Sequence, residues 1–328
     1  MKVVLFCGGL GTRLREHSDT IPKSLVNVGF RPIIWHLMRY YAHFGHTDFI
    51  LCLGYRGDMI RDYFLNYKET LTNDFTLSEG GKRIELHSRD LDSWRITFVD
   101  TGLHSNIGQR LVQARRYIAD DEMFLANYSD GLSALPLDSQ ILALQSSPAI
   151  ASFAAVRAPH SFHAVNCDQQ GVVTGLGPMR GEDIYINGGF FVFRQEIFDY
   201  IDADDELVEK PFQRLIAERK LLAYRYDGYW QCMDTFKDKI TFDRMEARGQ
   251  CPWAVWQQAP LEAALCSIVH SAQQSNLDER RSGARNQREI QAGSLRDRQQ
   301  IEPAVGLVEH PKNGQFKIAG AVAADHVE

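Results

Sequence analysis

The 328-residue sequence has no apolar run approaching the roughly 18 residues that a membrane helix requires. No membrane span is expected. Positive charge is in deficit, with 36 Lys and Arg against 42 Asp and Glu and a formal net charge of −6, which argues against a surface built to follow a nucleic-acid backbone. Cysteines are few. The 6 of them, at positions 7, 52, 167, 232, 251 and 266, show no metal-ligand spacing, and several fall inside apolar strand patterns, so buried thiols in a reducing, cytoplasmic compartment are expected. Met1 stands one residue before the first strand pattern, which leaves no room for a signal peptide ahead of it. Aromatics give out near the end: residues 257–328 hold only Phe316, and the Gln/Arg/Glu-rich middle from Gln273 to Gln300 cannot easily bury a core. A disordered or weakly helical tail is expected there.

What is present is a 44% hydrophobic content, enough for a substantial core in one large or two ordinary domains. Strand patterns at 2–7, 48–53, 95–100 and 122–127 alternate with helical stretches at 32–44, 57–66, 107–118 and 137–146. Such alternation predicts a layered α/β domain. From about 149 the order changes to short strands at 149–156, 162–166, 171–175 and 185–193, a helical part at 195–219, and strands at 221–226 and 229–233. A mixed sheet follows from that change.

The most specific local signal is Gly8-Gly9-Leu10-Gly11-Thr12-Arg13-Leu14 directly after the apolar run Val3 to Phe6, with Pro22-Lys23 beyond it. Glycines let backbone N–H groups approach an anion closely, while Arg13 and Lys23 add full positive charge. Thr12-Arg13 is not the Lys-Ser/Thr of a Walker A loop, and Leu14 stands where a dinucleotide fingerprint needs a third small residue. An ordinary glycine turn remains the alternative from the loop alone.

The Gly-Gly-x-Gly-Thr-Arg-Leu loop and the Pro-Lys pair resemble the signature of the sugar-1-phosphate nucleotidyltransferase superfamily, and further segments resemble its glucose-1-phosphate cytidylyltransferases. These are Ile33-Ile34-Trp35-His36, Gly54-Tyr55-Arg56-Gly57, Trp94 to Gly102, Asp130-Gly131, Ile186 to Phe191, Trp230 to Thr235 and Pro252-Trp253. The resemblance runs in order from residue 1 to about 256. It implies a Rossmann-like nucleotidyltransferase fold with a mixed, mostly parallel central sheet flanked by helices. It also implies a catalytic domain over 1–256, nucleotide half about 1–148 and sugar-phosphate half about 149–256, with a separate tail at 257–328. The implied reaction joins a nucleoside triphosphate, CTP in the cytidylyltransferases, to a hexose 1-phosphate with Mg²⁺ as cofactor. Self-association, common in the family, is a further expectation; nucleic acid and membrane are not expected partners.

A sugar phosphate oxygen is already ionised at neutral pH, so nucleotidyl transfer needs position and charge rather than a general base. Arg13 and Lys23 are the candidate catalytic cations. Asp130 follows an apolar strand, at the end of a sheet where α/β ligands bind, and Asp234 precedes a helix starting near Thr235. In the family the matching aspartates hold the metal; from local sequence alone each reads sooner as a helix N-cap or turn residue. Gly8, Gly9, Gly11, Thr12 and Arg110 are the nucleotide-binding candidates. Arg110 is either a donor to the O2 and N3 acceptors of a pyrimidine or a solvated helix charge beside Arg115 and Arg116. Gln109 stands where the family has a glycine.

On the sugar side the candidates are Asn187, Gly188 and Arg180. The family's Glu-Lys-Pro, whose lysine grips the sugar phosphate, is replaced here by Gly177-Pro178-Met179 followed by Arg180. Glu209-Lys210-Pro211 occurs later, where it reads as the opening of an amphipathic helix with Phe212, Leu215 and Ile216 on one face. Ser161-Phe162-His163 replaces the family's Arg-Phe-Gly, which alters the expected sugar pocket. Two readings compete with the transferase. A catalytically silent sugar-nucleotide sensor would not need both the aspartates and the cations, and a glycosyltransferase would usually carry an Asp-x-Asp motif that Ser129-Asp130-Gly131 does not supply.

Overall fold

In a computed structural model of the chain, the residues described are 1–9, 21–157, 163–178 and 184–257. They lie in the first of two units into which the chain divides, Met1–Gln258 and Ala259–Glu328. The expected tail falls outside them, as do Gly11, Thr12, Arg13, Leu14, Met179 and Arg180.

Four residues, Val3–Phe6, make strand β1, and all four are buried. Burial on both sides is what a central parallel strand demands, and it explains the unbroken apolar run. Val3 and Leu5 feed one apolar cluster while Val4 and Phe6 feed another. The remaining strands are β2 (Asn27–Val28), β3 (Arg31–Pro32), β4 (Asp48–Leu53), β5 (Phe75–Ser78), β6 (Arg83–Leu86), β7 (Arg95–Asp100), β8 (Met123–Tyr128), β9 (Gly131–Ser133), β10 (Ala151–Arg157), β11 (His163–Cys167), β12 (Val173–Pro178), β13 (Tyr185–Asn187), β14 (Phe191–Arg194), β15 (Leu221–Tyr226) and β16 (Trp230–Cys232). The helices are α1 (Ile33–His43), α2 (Gly57–Leu65), α3 (Ile107–Ala114), α4 (Leu137–Gln145), α5 (Lys210–Ala217) and α6 (Phe236–Ala247).

An 8-stranded sheet organises the unit. β1 runs parallel to β4 and β8, and β4 parallel to β7. β14 joins β8 antiparallel, β10 joins β14 and β13 antiparallel, and β15 closes the far edge parallel to β10. One face is covered by α1, through Ile34, Leu37, Met38 and Tyr41, and by Leu137, Ile141 and Leu144 of α4. The other is covered by Leu111 and Ala114 of α3 and by Phe212 and Leu215 of α5. The α/β class and the mixed, mostly parallel sheet flanked by helices are as the sequence indicated.

Four details differ from the sequence pattern. The strand expected at 185–193 is two strands, because Gly189 (φ +76) and Phe190 (φ +50) turn the chain through left-handed backbone between them. The helical part expected at 195–219 reduces to a 3₁₀ segment, Gln195–Tyr200, and the short helix α5. Ile216 of α5 is 52% exposed, so the buried face is Pro211, Phe212 and Leu215 alone. β11 and β12 form a separate antiparallel pair, as do β16 and β9. Among the described residues no helix is long and apolar enough to cross a membrane.

The short strands β2, β3 and β9 and the β5–β6 hairpin went unread. The β5–β6 hairpin pairs Phe75 with Leu86 and Leu77 with Ile84 across a turn containing Gly80 (φ +65) and Gly81 (φ +92). Its alternating residues around Glu79-Gly80-Gly81-Lys82 are a hairpin signal.

Candidate active site

β1 ends at Phe6 and the chain enters Cys7, Gly8 and Gly9 at the carboxyl ends of the parallel strands, where open α/β sheets place their ligands. Beside this turn lies a cleft of about 320 Å³, the size of a small-ligand site, whose wall includes Gly8, Gly9, Lys23, Arg110, Asp130 and Asp234. Six of the expected residues thus meet in one cavity.

Lys23 opens a 3₁₀ turn, Lys23–Leu25, behind Pro22. Its ammonium donates to Asp130 Oδ2 at 2.5 Å and to Asp234 Oδ1 at 2.6 Å. Burial works against the charge on Lys23, but the two carboxylates outweigh it and raise its pKa above the ordinary lysine value. Lys23 is therefore a cation at neutral pH.

Asp130 sits between β8 and β9, and Asp234 follows β16. The two segments are tied by backbone, with Met233 N–H donating to Asp130 O at 2.8 Å and β16 pairing antiparallel to β9. Neither aspartate caps a helix. The N-cap of α6 is Thr235, whose hydroxyl accepts from Asp238 N–H while Asp238 reaches back to Thr235 N–H. That leaves the Asp234 carboxylate facing Lys23, with Cys232 Sγ donating to its second oxygen at 3.3 Å. Burial, and then Asp234, push the Cys232 thiol up to about 12, so it stays a neutral donor.

Arg110 is not a solvated helix charge. It is 3% exposed, and its guanidinium donates to Leu53 O (3.1 Å), Thr101 Oγ1 (2.6 Å), Gly8 O (3.1 Å) and Leu103 O (3.4 Å). Both terminal nitrogens are committed to the protein's own acceptors. Glycines make the space: a β-carbon on Gly8 would stand 2.0 Å from Arg110 Nη1, and one on Gly54 would stand 2.9 Å from it. A β-carbon on Gly9 would meet nothing within 4 Å. Gln109 has a structural use, because with Asn106 it forms the capping box of α3.

Of the sugar-side candidates, Asn187 and Gly188 lie beside the cleft and are not among the residues of its wall. Asn187 Oδ1 accepts from Gly189 N–H at 2.9 Å. Gly188 accepts from Trp230 Nε1 at 2.8 Å, and a β-carbon there would strike Val156 at 2.9 Å. Glu209 and Lys210 stand at the start of α5, with Pro211 in its first turn and the Lys210 side chain 73% exposed.

Sequence reasoning did not single out Ser24, Asn106, Tyr128 and Glu206, which also wall the cleft. Glu206 Oε2 accepts from Ile107 N–H at 3.2 Å, at the N-terminus of α3. Asn106 carried a legible signal, an Asn-x-x-Gln capping pattern before an amphipathic helix.

The Nucleotidyl transferase family profile matches residues 2–241. Glucose-1-phosphate cytidylyltransferase of Salmonella typhi is 37% identical over 258 residues, 78% of this chain and 100% of the relative. Among solved structures, UDP-glucose pyrophosphorylase complexed with UDP-glucose superposes with a TM-score of 0.53 at 15% identity, covering 76% of this chain and 98% of that one. HddC from Yersinia pseudotuberculosis superposes with a TM-score of 0.52 at 19% identity, covering 75% and 99%. The structural likenesses establish the fold, and the family profile with the cytidylyltransferase identity establishes the lineage. The chain belongs to the nucleotidyl transferase family, among the sugar-1-phosphate nucleotidyltransferases.

Proposed function

We propose that this enzyme condenses CTP with glucose 1-phosphate to give CDP-glucose and pyrophosphate. The observation that carries the proposal is the Lys23 ammonium held between Asp130 and Asp234 beside the Gly8-Gly9 turn. A cleft that gathers two carboxylates, a lysine and a glycine turn at strand ends suits phosphates and a cation together. The identity to a cytidylyltransferase along that relative's whole length favours CTP and glucose over other pairs.

In the reaction an ionised phosphate oxygen of the sugar 1-phosphate bonds in line to the α-phosphorus of CTP. The bond from that phosphorus to the bridging oxygen breaks, and pyrophosphate leaves with both its electrons. Asp130 and Asp234 fit Mg²⁺ as the metal holders. Among the described residues no cluster of three or more His, Cys, Asp or Glu could hold a metal. Two carboxylates without a third ligand suit an ion that keeps its waters and takes substrate phosphates as well. Bound there, the cation would offset the charge that the two phosphate groups bring together.

Gly8 and Gly9, with Gly11 and Thr12, present backbone donors to the triphosphate, and Arg13 and Lys23 stabilise charge on the leaving pyrophosphate. Arg110 serves the nucleotide half by holding Gly8. Asn187, Gly188 and Arg180 position the sugar phosphate, with Arg180 in the role the missing lysine has elsewhere. Residues 1–256 form the catalytic domain, with the nucleotide on about 1–148 and the sugar phosphate on about 149–256.

The test is pyrophosphate release in the presence of Mg²⁺, over four nucleoside triphosphates against glucose, mannose and other sugar 1-phosphates. Release confined to CTP and glucose 1-phosphate is the expected result. Release with another pair would replace the substrates named, and silence with CTP still bound by calorimetry would favour a sensor.

A further inference from the structure

We propose that Lys23 is a displaceable counter-ion: it holds the Asp130–Asp234 pair shut until a divalent cation takes its place, and its release then turns it onto the substrate phosphates. The inference rests on the assignment of Asp130 and Asp234 as the metal holders.

The geometry makes lysine and metal competitors. Lys23 Nζ lies 2.5 Å from Asp130 Oδ2 and 2.6 Å from Asp234 Oδ1. An ion bound by the same two oxygens at the usual Mg–O separation of about 2.1 Å would need the space that Nζ fills. Two cations cannot share it. The lysine is the partner able to move, because its backbone is fixed in the Lys23–Leu25 turn while its side chain turns about four single bonds. The aspartates are not, since the Met233–Asp130 backbone bond and the Cys232 contact hold their segments together.

Charge gives the exchange its consequence. With Lys23 between them, the carboxylates leave the spot net negative, which repels a triphosphate. With a divalent ion in that place and Lys23 freed, the same residues become net positive. Metal loading therefore both admits the anion and supplies the ammonium that meets it. The cost is a weaker apparent metal affinity, reduced by the fraction of time the pair stands free of Lys23.

The test uses Mn²⁺ as the probe on the full, nucleotide-free chain, with free Mn²⁺ read by electron paramagnetic resonance. Lys23→Met is expected to bind Mn²⁺ about tenfold more tightly than the parent, while Asp130→Asn and Asp234→Asn bind it more weakly. Unchanged or weaker binding by Lys23→Met, with the aspartate variants still weakened, would overturn the displacement while leaving the metal assignment in place. If the aspartate variants bind Mn²⁺ as the parent does, the metal assignment fails and the proposal with it. A second measurement needs no variant: reductive methylation of Lys23, followed by mass spectrometry, should run several-fold faster with Mg²⁺ than without. An equal rate would contradict the proposal.

Discussion

The N–H of Met233 donates to the carbonyl of Asp130 at 2.8 Å, so the segments that carry the two aspartates are joined by backbone and not only by the cation between them. Their carboxylates therefore stay close when their charge is removed, which separates chemistry from folding in a variant.

On the proposed metal assignment, Asp234→Asn is expected to lower pyrophosphate release by about 10³-fold or more, since it would remove a charge that holds the cation. Its melting temperature should stay within about 3 °C of the parent, because the capping of α6 belongs to Thr235 and Asp238. Activity and calorimetric melting measured on one preparation decide the matter. A large fall in melting temperature would mean that Asp234 is a structural residue.

Gly8→Ala should destabilise the fold by about 1–3 kcal/mol, because its β-carbon would stand 2.0 Å from an Arg110 guanidinium that can give way only by breaking bonds to its four acceptors. Gly9→Ala meets nothing within 4 Å and should be tolerated in the fold. Urea denaturation of the two variants gives the contrast.

Arg110→Met leaves Gly8 O, Leu53 O, Leu103 O and Thr101 Oγ1 without the guanidinium they accept from. The loss expected in urea denaturation is on the order of 3 kcal/mol, as for buried polar groups stripped of a charged partner. Arg110→Lys should recover only part of it, since an ammonium cannot reproduce a planar fork.

Acid should weaken the fold through His36. Burial depresses its pKa from 6.5 to about 4, and Trp253 Nε1 donates to its Nδ1 at 3.4 Å while its Nε2 contacts Val28 O at 3.0 Å. The folded state thus keeps the imidazole neutral, with the proton on Nε2. Between pH 6.5 and about 4 the unfolded chain binds a proton that the folded chain does not, so stability falls as pH falls through that window. The loss is about 3 kcal/mol at most. His46, lowered to about 4 by burial and by the N-terminal ammonium, adds to it. A His36→Gln variant should show a flatter dependence of unfolding free energy on pH, and an unchanged slope would contradict the assignment.

The doubly wound half of the fold was legible because its strands are buried on both sides and so read as continuous apolar runs, Val3 to Phe6 and Phe49 to Leu53. The break at Gly188 to Phe190 was harder to see. Gly188 stood among the sugar-side candidates with no sign of a turn, whereas Gly189 lies against Asn127 Oδ1, and Phe190 takes a left-handed conformation rare for an aromatic residue. At the site, residue types were legible and pairings were not. Lys23 meets partners 107 and 211 positions away, a distance over which no spacing rule operates. Arg110 was ambiguous because an arginine on an amphipathic helix reads the same whether it faces solvent or lies beneath two glycines that only the folded sheet brings over it.

Because a trans peptide is planar, a carbonyl and the N–H that follows it point in opposite directions. Gly8 turns its carbonyl onto Arg110 and receives Tyr55 N–H at 3.4 Å, so the amide of Gly9 is aimed away from that guanidinium. The orientation of the peptide plane in the glycine turn is therefore set by a side chain 102 positions along the chain. A substitution at Arg110 would loosen that peptide plane without altering a single glycine.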